Sequence, residues 1–238
     1  MTTGGNLLLR ALSPADREAL HAHLEPIGAA RGDVLHEHGD EVSHVYFPHD
    51  GMISLVAVMS NGATAEAASI GVEGVVGALS ALARRPATTR AVVQMQGGLS
   101  RMDAGRLRTL AGERPQLRAA LDRWLDVHLS QSQQFSACNL LHLMEARLAR
   151  WILSCHDRVE GDEVVLTQEF LGQMLGVRRT TVTEVAGELQ TRGMIKHRRG
   201  AITILDKDRL EQVACECRQT VRRELDELWA HPLAAERG

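Results

Sequence analysis

The chain has 238 residues, of which 44% are apolar and 24% charged, with a net charge of −3. That balance indicates an ordinary globular protein rather than a disordered chain, and the length allows two domains. No stretch reaches the roughly 18–20 consecutive apolar residues of a membrane-spanning helix, and the opening MTTGGNLLLRALSPADRE has neither a basic n-region nor a long apolar run. Aromatic residues make up only 3%, so the core must rest on Leu, Val, Ile, Ala and Met. The cysteines Cys138, Cys155, Cys215 and Cys217 form no CxxC pair. A cytoplasmic protein with reduced thiols and no membrane partner is expected.

Ser13-Pro14-Ala15-Asp16 opens the first predicted helix, with Ser as N-cap, Pro at the first position and an acid in the first turn. From Arg31 the texture changes to short apolar runs broken by Gly32, Gly39-Asp40, Asp50-Gly51, Asn61-Gly62 and Gly97-Gly98. Asn61-Gly62 between two apolar runs is a strong hairpin signal. Many short strands at this spacing predict an antiparallel sandwich or barrel over 30–102, with a jelly roll as the natural candidate. His36-Glu37-His38 would share one face of a strand, but nothing supplies further ligands at a metal-site spacing.

A long helix is predicted from Pro115 to about Ser136. Leu117, Leu121, Trp124, His128, Gln131 and Phe135 alternate in steps of four and three, a heptad seam. Leu125 and Leu129 add an apolar stripe beside it, so the helix should pack on its own barrel and on a second copy of itself. The expected dimer contacts are Leu117, Leu121, Trp124, His128 and Phe135; a helix buried within one chain is the alternative. A further helix is predicted over Asn139 to Arg158, then a strand at Val164-Val165-Leu166.

Thr167 to Ile195 reads as two short helices pinned by a tight turn at Gly176. Val182, Val185, Ala186 and Leu189 recur at the spacing of a buried helical stripe, which turns Arg178, Arg179, Thr180, Thr181, Thr183 and Glu184 outward. DNA-reading helices present base contacts from this end. Met194 to His197 and Ala201 to Ile204, around Arg198-Arg199-Gly200, predict a hairpin wing. Residues 167–205 hold six Lys or Arg and three Glu, net +3, which leaves the remainder of the chain at −6. Such asymmetry suits a phosphate-contacting surface. The tail from Asp206 to about Ala230 is predicted as one helix. In a helix Cys215 and Cys217 would point to different faces, so no metal centre is expected.

LTQEFLGQMLGVRRTTVTEVAGELQTRGMI, preceded by EARLARWIL and followed by the wing, resembles the DNA-binding domain of the Crp/Fnr superfamily of transcription regulators. The resemblance covers about 140–210 in detail and most of the chain as an architecture. It implies an α+β protein: an N-terminal β jelly roll of the cyclic-nucleotide-binding type over 1–112, a dimerisation helix over 113–137, and a winged helix-turn-helix domain with a helical extension over 138–238. In the family the recognition helix begins with a Ser/Arg/Glu/Thr-like run. Arg179 and Thr181 match it here, Thr180 replaces the Glu, Glu184 replaces a second base-reading Arg, and Arg178 takes the small capping position. Because Arg pairs with guanine and Glu with cytosine, the operator should differ from the family's best-known one.

The segment from Gly71 to Leu82 lies where cyclic-nucleotide-binding relatives carry a phosphate cassette. Ala78 falls at the position of the ribose-binding Glu, and Thr88-Thr89 replace the phosphate-binding Arg-Ser pair. The expected effector pocket comprises Val76, Gly77, Ala78, Leu79, Thr88 and Thr89, without a tight cAMP site; the effector is unnamed and no cofactor is expected. Arg179, Thr180, Thr181 and Glu184 are expected to read bases, and Arg178, Thr167, Gln168, Lys196, Arg198 and Arg199 to hold phosphates. Candidate partners are double-stranded DNA, a second copy of the chain and RNA polymerase. The alternative is an effector-binding or protein-interaction module that no longer binds DNA. No nucleophile–base–acid grouping suggests an enzyme.

Overall fold

A computed structural model describes residues 5–158, 161–165, 167–198 and 200–230. The chain divides into two compact units: Met1–Ala57, Ala68–Gln131 and Arg223–Gly238 form one, and Val58–Ala67 with Ser132–Arg222 the other.

The first unit opens with α1 (Leu7–Ala11) and α2 (Pro14–His21). The Ser13 hydroxyl accepts the Asp16 N–H at 3.1 Å, the cap its position predicts. Buried Asn6 accepts from Leu9 N–H and donates to the carbonyls of Pro48 and Gly74, so one side chain ties three segments together. The strands β1 (Glu25–Ala29), β2 (Val34–His36), β3 (His44–Pro48), β4 (Met52–Val58) and β5 (Thr64–Ile70) follow. After α3 (Ala78–Ala83) come β6 (Arg90–Met95) and β7 (Gly97–Asp103). They form two sheets, ordered β1-β7-β3 and β2-β6-β4-β5, and the resolved registers are antiparallel. Gly62, at φ 82°, turns the chain between β4 and β5, as Asn-Gly predicts. Phe47, Ile53, Ile70, Ala91, Val93 and Leu99 share the buried core with the helices that follow.

Those helices are α4 (Ala104–Glu113) and α5 (Pro115–Leu141), the latter extending past the predicted end near Ser136. The heptad seam of α5 is covered by the chain itself. Leu117, Leu121 and Trp124 are 0% exposed in the first unit's core. Trp124 Nε1 donates to Val75 O at 3.2 Å, and the His128 ring stacks on the indole with centroids 5.4 Å apart. Farther along, the Arg150 guanidinium lies 4.4 Å from the Phe135 ring centroid in the second unit. The predicted partner surface of Leu117, Leu121, Trp124, His128 and Phe135 is therefore an internal one. Periodicity reports that a face is buried, not what buries it. A parallel line on α5, Asp122, Asp126, Leu129, Gln133, Ser136 and Leu140, has the same spacing and is exposed throughout.

The second unit continues with α6 (Met144–His156), which starts after a break at 142–143 where the sequence predicts an unbroken helix from 139. Then come β8 (Glu163–Val164), α7 (Gln168–Leu175), α8 (Arg179–Thr191), β9 (Ile195–Arg198) and β10 (Ala201–Ile204), the strands forming a sheet ordered β8-β10-β9. Leu166, the predicted end of the strand, lies outside the described residues. The tail is two helices, α9 (Lys207–Val213) and α10 (Cys217–Leu228), parted at 214–216, where the sequence predicts one. In the first unit Trp229 Nε1 donates to Glu73 O at 2.9 Å and Arg123 Nη2 to Leu228 O at 2.7 Å, so the chain end secures that unit. Among the described residues no helix is long and apolar enough to cross a membrane.

Candidate nucleic-acid interface

The helix pair α7–α8 is built as its sequence requires. Thr167 caps α7, its hydroxyl accepting from Phe170 N–H at 3.2 Å. Gly176 ends the helix in the left-handed region at φ 66°, where a side chain would be strained. Two further residues set the turn, and periodicity alone gives no sign of either. A Cβ on Gly172 would stand 2.9 Å from Val177 O, so α8 can start this close to α7 only over a glycine. Arg147, on α6 and only 9% exposed, donates from Nη2 to Leu175 O at 2.6 Å, satisfying a carbonyl at the end of α7.

Val182, Ala186 and Leu189 are fully buried beneath α8. Arg178, Arg179, Thr180, Thr183 and Glu184 are exposed and Thr181 half-exposed at its N-terminal end. Arg178 stands at the N-cap without a side-chain cap bond, so the contribution of about 1 kcal/mol from a Ser or Thr there is missing. Thr183 Oγ1 lies 2.9 Å from both Gln168 Oε1 and Arg179 O, so its one hydrogen is shared between the start of α7 and the first turn of α8. In the wing, Ala201 pairs with Arg198 and Thr203 with Lys196, and both basic side chains are exposed. Arg199 lies outside the described residues. Arg192, counted in the basic balance, is held in an ion pair with Glu145.

The segment expected to hold an effector is differently built. Val76 is fully buried and exchanges two backbone hydrogen bonds with Tyr46, at 2.8 and 3.1 Å. Gly77 caps α3 at φ 84°, Ala78 is buried and Leu79 is 48% exposed. Thr88 is exposed, its carbonyl 3.0 Å from His38 Nδ1, and Thr89 is half-exposed. None of these six residues carries a charge. The neighbouring Arg90 is engaged by Glu37 at 2.6 Å, and Arg84 and Arg85 are exposed to solvent. A cleft of about 330 Å³ is bordered by His23, Glu25, His44, Arg101 and Arg106. Two of those charges are already paired, Arg101 with Glu25 at 2.9 Å.

The Crp-like helix-turn-helix domain family matches residues 146–213, and the cyclic nucleotide-binding domain family matches residues 28–114. A Mycobacterium tuberculosis protein named as a CRP-like cAMP-activated global transcriptional regulator is 24% identical over 214 residues, covering 87% of this chain and 96% of that protein. Among solved structures, a crp/fnr-family transcriptional regulator from Eubacterium rectale superposes with a TM-score of 0.72 at 17% identity, covering 87% of this chain and 96% of the other. A CRP/FNR-family regulator from Thermus thermophilus gives 0.67 at 23% identity, over 80% and 98%. With the two domains in this order, and the helix pair and wing built in this way, the chain belongs to the Crp/Fnr superfamily of transcription regulators.

Proposed function

We propose that the protein is a homodimeric, sequence-specific regulator whose α8 enters the major groove of duplex DNA. The observation that carries this reading is the polarity of α8: a fully buried Val182-Ala186-Leu189 stripe beneath an exposed Arg179, Thr180 and Glu184. Arg179, Thr180, Thr181 and Glu184 read base edges; Arg178, Thr167, Gln168, Lys196, Arg198 and Arg199 hold phosphates. The second copy docks along the exposed heptad line of α5, where Leu129 and Leu140 are 56% and 85% exposed. Two-fold symmetry then sets two copies of α8 about 34 Å apart, one helical turn of DNA.

The β-roll biases this arrangement through an effector other than tightly held cAMP. Val76, Gly77, Ala78, Leu79, Thr88 and Thr89 offer no charge-assisted partner to a cyclic phosphate, a contact worth about 1.5–3 kcal/mol. Control follows if an effector binds one dimer arrangement better than the other. RNA polymerase is the partner through which such a dimer would act on transcription.

The division of roles is tested by comparing Arg179→Ala with Arg198→Ala. Arg179→Ala should reduce the ratio of specific to random-sequence affinity by about 1–3 kcal/mol, or roughly 5–150-fold, for each half-site. Arg198→Ala should weaken both alike and reduce the salt slope by about two, about one for each copy of the dimer. Equal behaviour of the two variants would overturn the assignment.

A further inference from the structure

Cys138, His142, Cys215 and Cys217 are separated by up to 79 positions in the sequence, yet in the second unit their ligand atoms all lie within 4.8 Å of one another. Cys138 sits on the last turn of α5, and His142 follows the helix end, its N–H bonded to Cys138 O at 3.1 Å. Cys215 lies in the break before α10 and Cys217 is the first residue of that helix. The expectation that 215 and 217 point to opposite faces of a helix fails because the chain is not helical at 215. The break turns both thiols to one side, and Cys215 N–H reaches Ala146 O at 3.4 Å, fixing the break against the start of α6. Cys138 and Cys217 are fully buried, Cys215 is 7% exposed, and all are free thiols.

From this geometry we infer a mononuclear divalent transition-metal site, of the zinc class, with Cys138, Cys215, Cys217 and His142 Nδ1 as ligands. Tetrahedral zinc, with Zn–S near 2.3 Å and Zn–N near 2.0–2.1 Å, places neighbouring ligand atoms about 3.4–3.8 Å apart. Cys138 Sγ and Cys215 Sγ are 3.5 Å apart, as are Cys217 Sγ and His142 Nδ1. A multi-iron cluster would bind its cysteines to different metal atoms and spread them wider. Soft thiolates with one imidazole select zinc over magnesium or calcium.

The surroundings complete the site. Glu216 Oε2 lies 3.2 Å from His142 Nε2, which holds the ring as the tautomer whose Nδ1 is free to ligate. Gln134 Nε2 donates to Cys217 Sγ at 3.1 Å, a hydrogen bond that favours thiolate. The Arg150 guanidinium over Phe135 adds positive charge near Cys138 and Cys215. A bound ion clamps the end of α5 to the start of α10 within this unit. The inference is independent of DNA binding by α8.

The test uses the full chain, stripped with a chelator and then titrated with Co²⁺ and with Zn²⁺ against a chromophoric competitor. One ion should bind per chain, and cobalt should show a thiolate charge-transfer band with the strong visible absorption of a tetrahedral site. Glu216→Gln, at an exposed carboxylate, should keep the fold and the cobalt spectrum while weakening zinc about 10–100-fold. Cys217→Ser should lose the tight site, and Cys155→Ala, outside the group, should retain it. Absence of the thiolate band, or zinc affinity unchanged in both Glu216→Gln and Cys217→Ser, would overturn the proposal.

Discussion

The helix pair 168–191 lies in the part of the chain matched by the Crp-like helix-turn-helix family, and the segment 76–89 in the part matched by the cyclic nucleotide-binding family. They differ in what their surfaces offer. The helix pair keeps a buried stripe, a left-handed turn at Gly176 and an exposed basic end. The β-roll segment keeps the short helix and its glycine cap but presents Ala78, Leu79 and two threonines where charge would be needed.

The largest effect should come from closing the space between α7 and α8. In Gly172→Val the Cβ alone lies 2.9 Å from a backbone oxygen, and overpacking of this kind costs about 1–3 kcal/mol before the added methyls are placed. DNA affinity should fall by more than about 100-fold, while the unfolding of the first unit stays unchanged. In the mirror experiment, Gly74→Val drives a side chain into the Trp124 ring and should destabilise the first unit instead. Equal loss of both units in either variant would break the distinction.

A smaller gain is expected from Arg178→Ser, which supplies the missing cap of α8. Thermal stability of the second unit should rise by about 1 kcal/mol, while DNA affinity drops through the lost phosphate contact. A variant that binds DNA as tightly as the parent would remove Arg178 from the interface.

Acid should separate the units more gently. Burial holds His36, His49 and His128 of the first unit below their ordinary value. The unfolded chain takes up protons as pH falls through about 6.5, before the buried rings do, so their contribution is present above that pH and is progressively lost below it. The thermal midpoint of the first unit should decline between pH 7 and pH 5, less steeply in His128→Gln. A flat or rising profile would contradict the assignment. The smallest effect belongs to cAMP: at 1 mM it should move the midpoint by less than about 1 °C, since a ligand present far below its Kd adds almost nothing to stability.

How much of this is legible in the sequence depends on how local the determinant is. The α7–α8 pair and the wing announce themselves through stripes, caps and turn residues a few positions apart. The seam on α5 is visible as a period, but Trp124 could equally face a partner, and only the packing against Val75 and Gly74 decides. Arg147 looks like one more charged residue of a helix until its hydrogen bond to Leu175 O is seen. The break at 214–216 carries no Gly or Pro, so Cys215 and Cys217 read as helical, and a group assembled from both ends of the second unit has no spacing to recognise.

The central claim, that exposed cations on α8 and the wing meet the phosphates of a duplex, is tested most directly by the salt dependence of DNA binding by the full chain. With three or four basic contacts per copy and two copies on the duplex, the logarithm of the binding constant should fall against the logarithm of salt concentration with a slope of about −5 to −7. Binding that is absent at low salt, or a slope near zero, would contradict it.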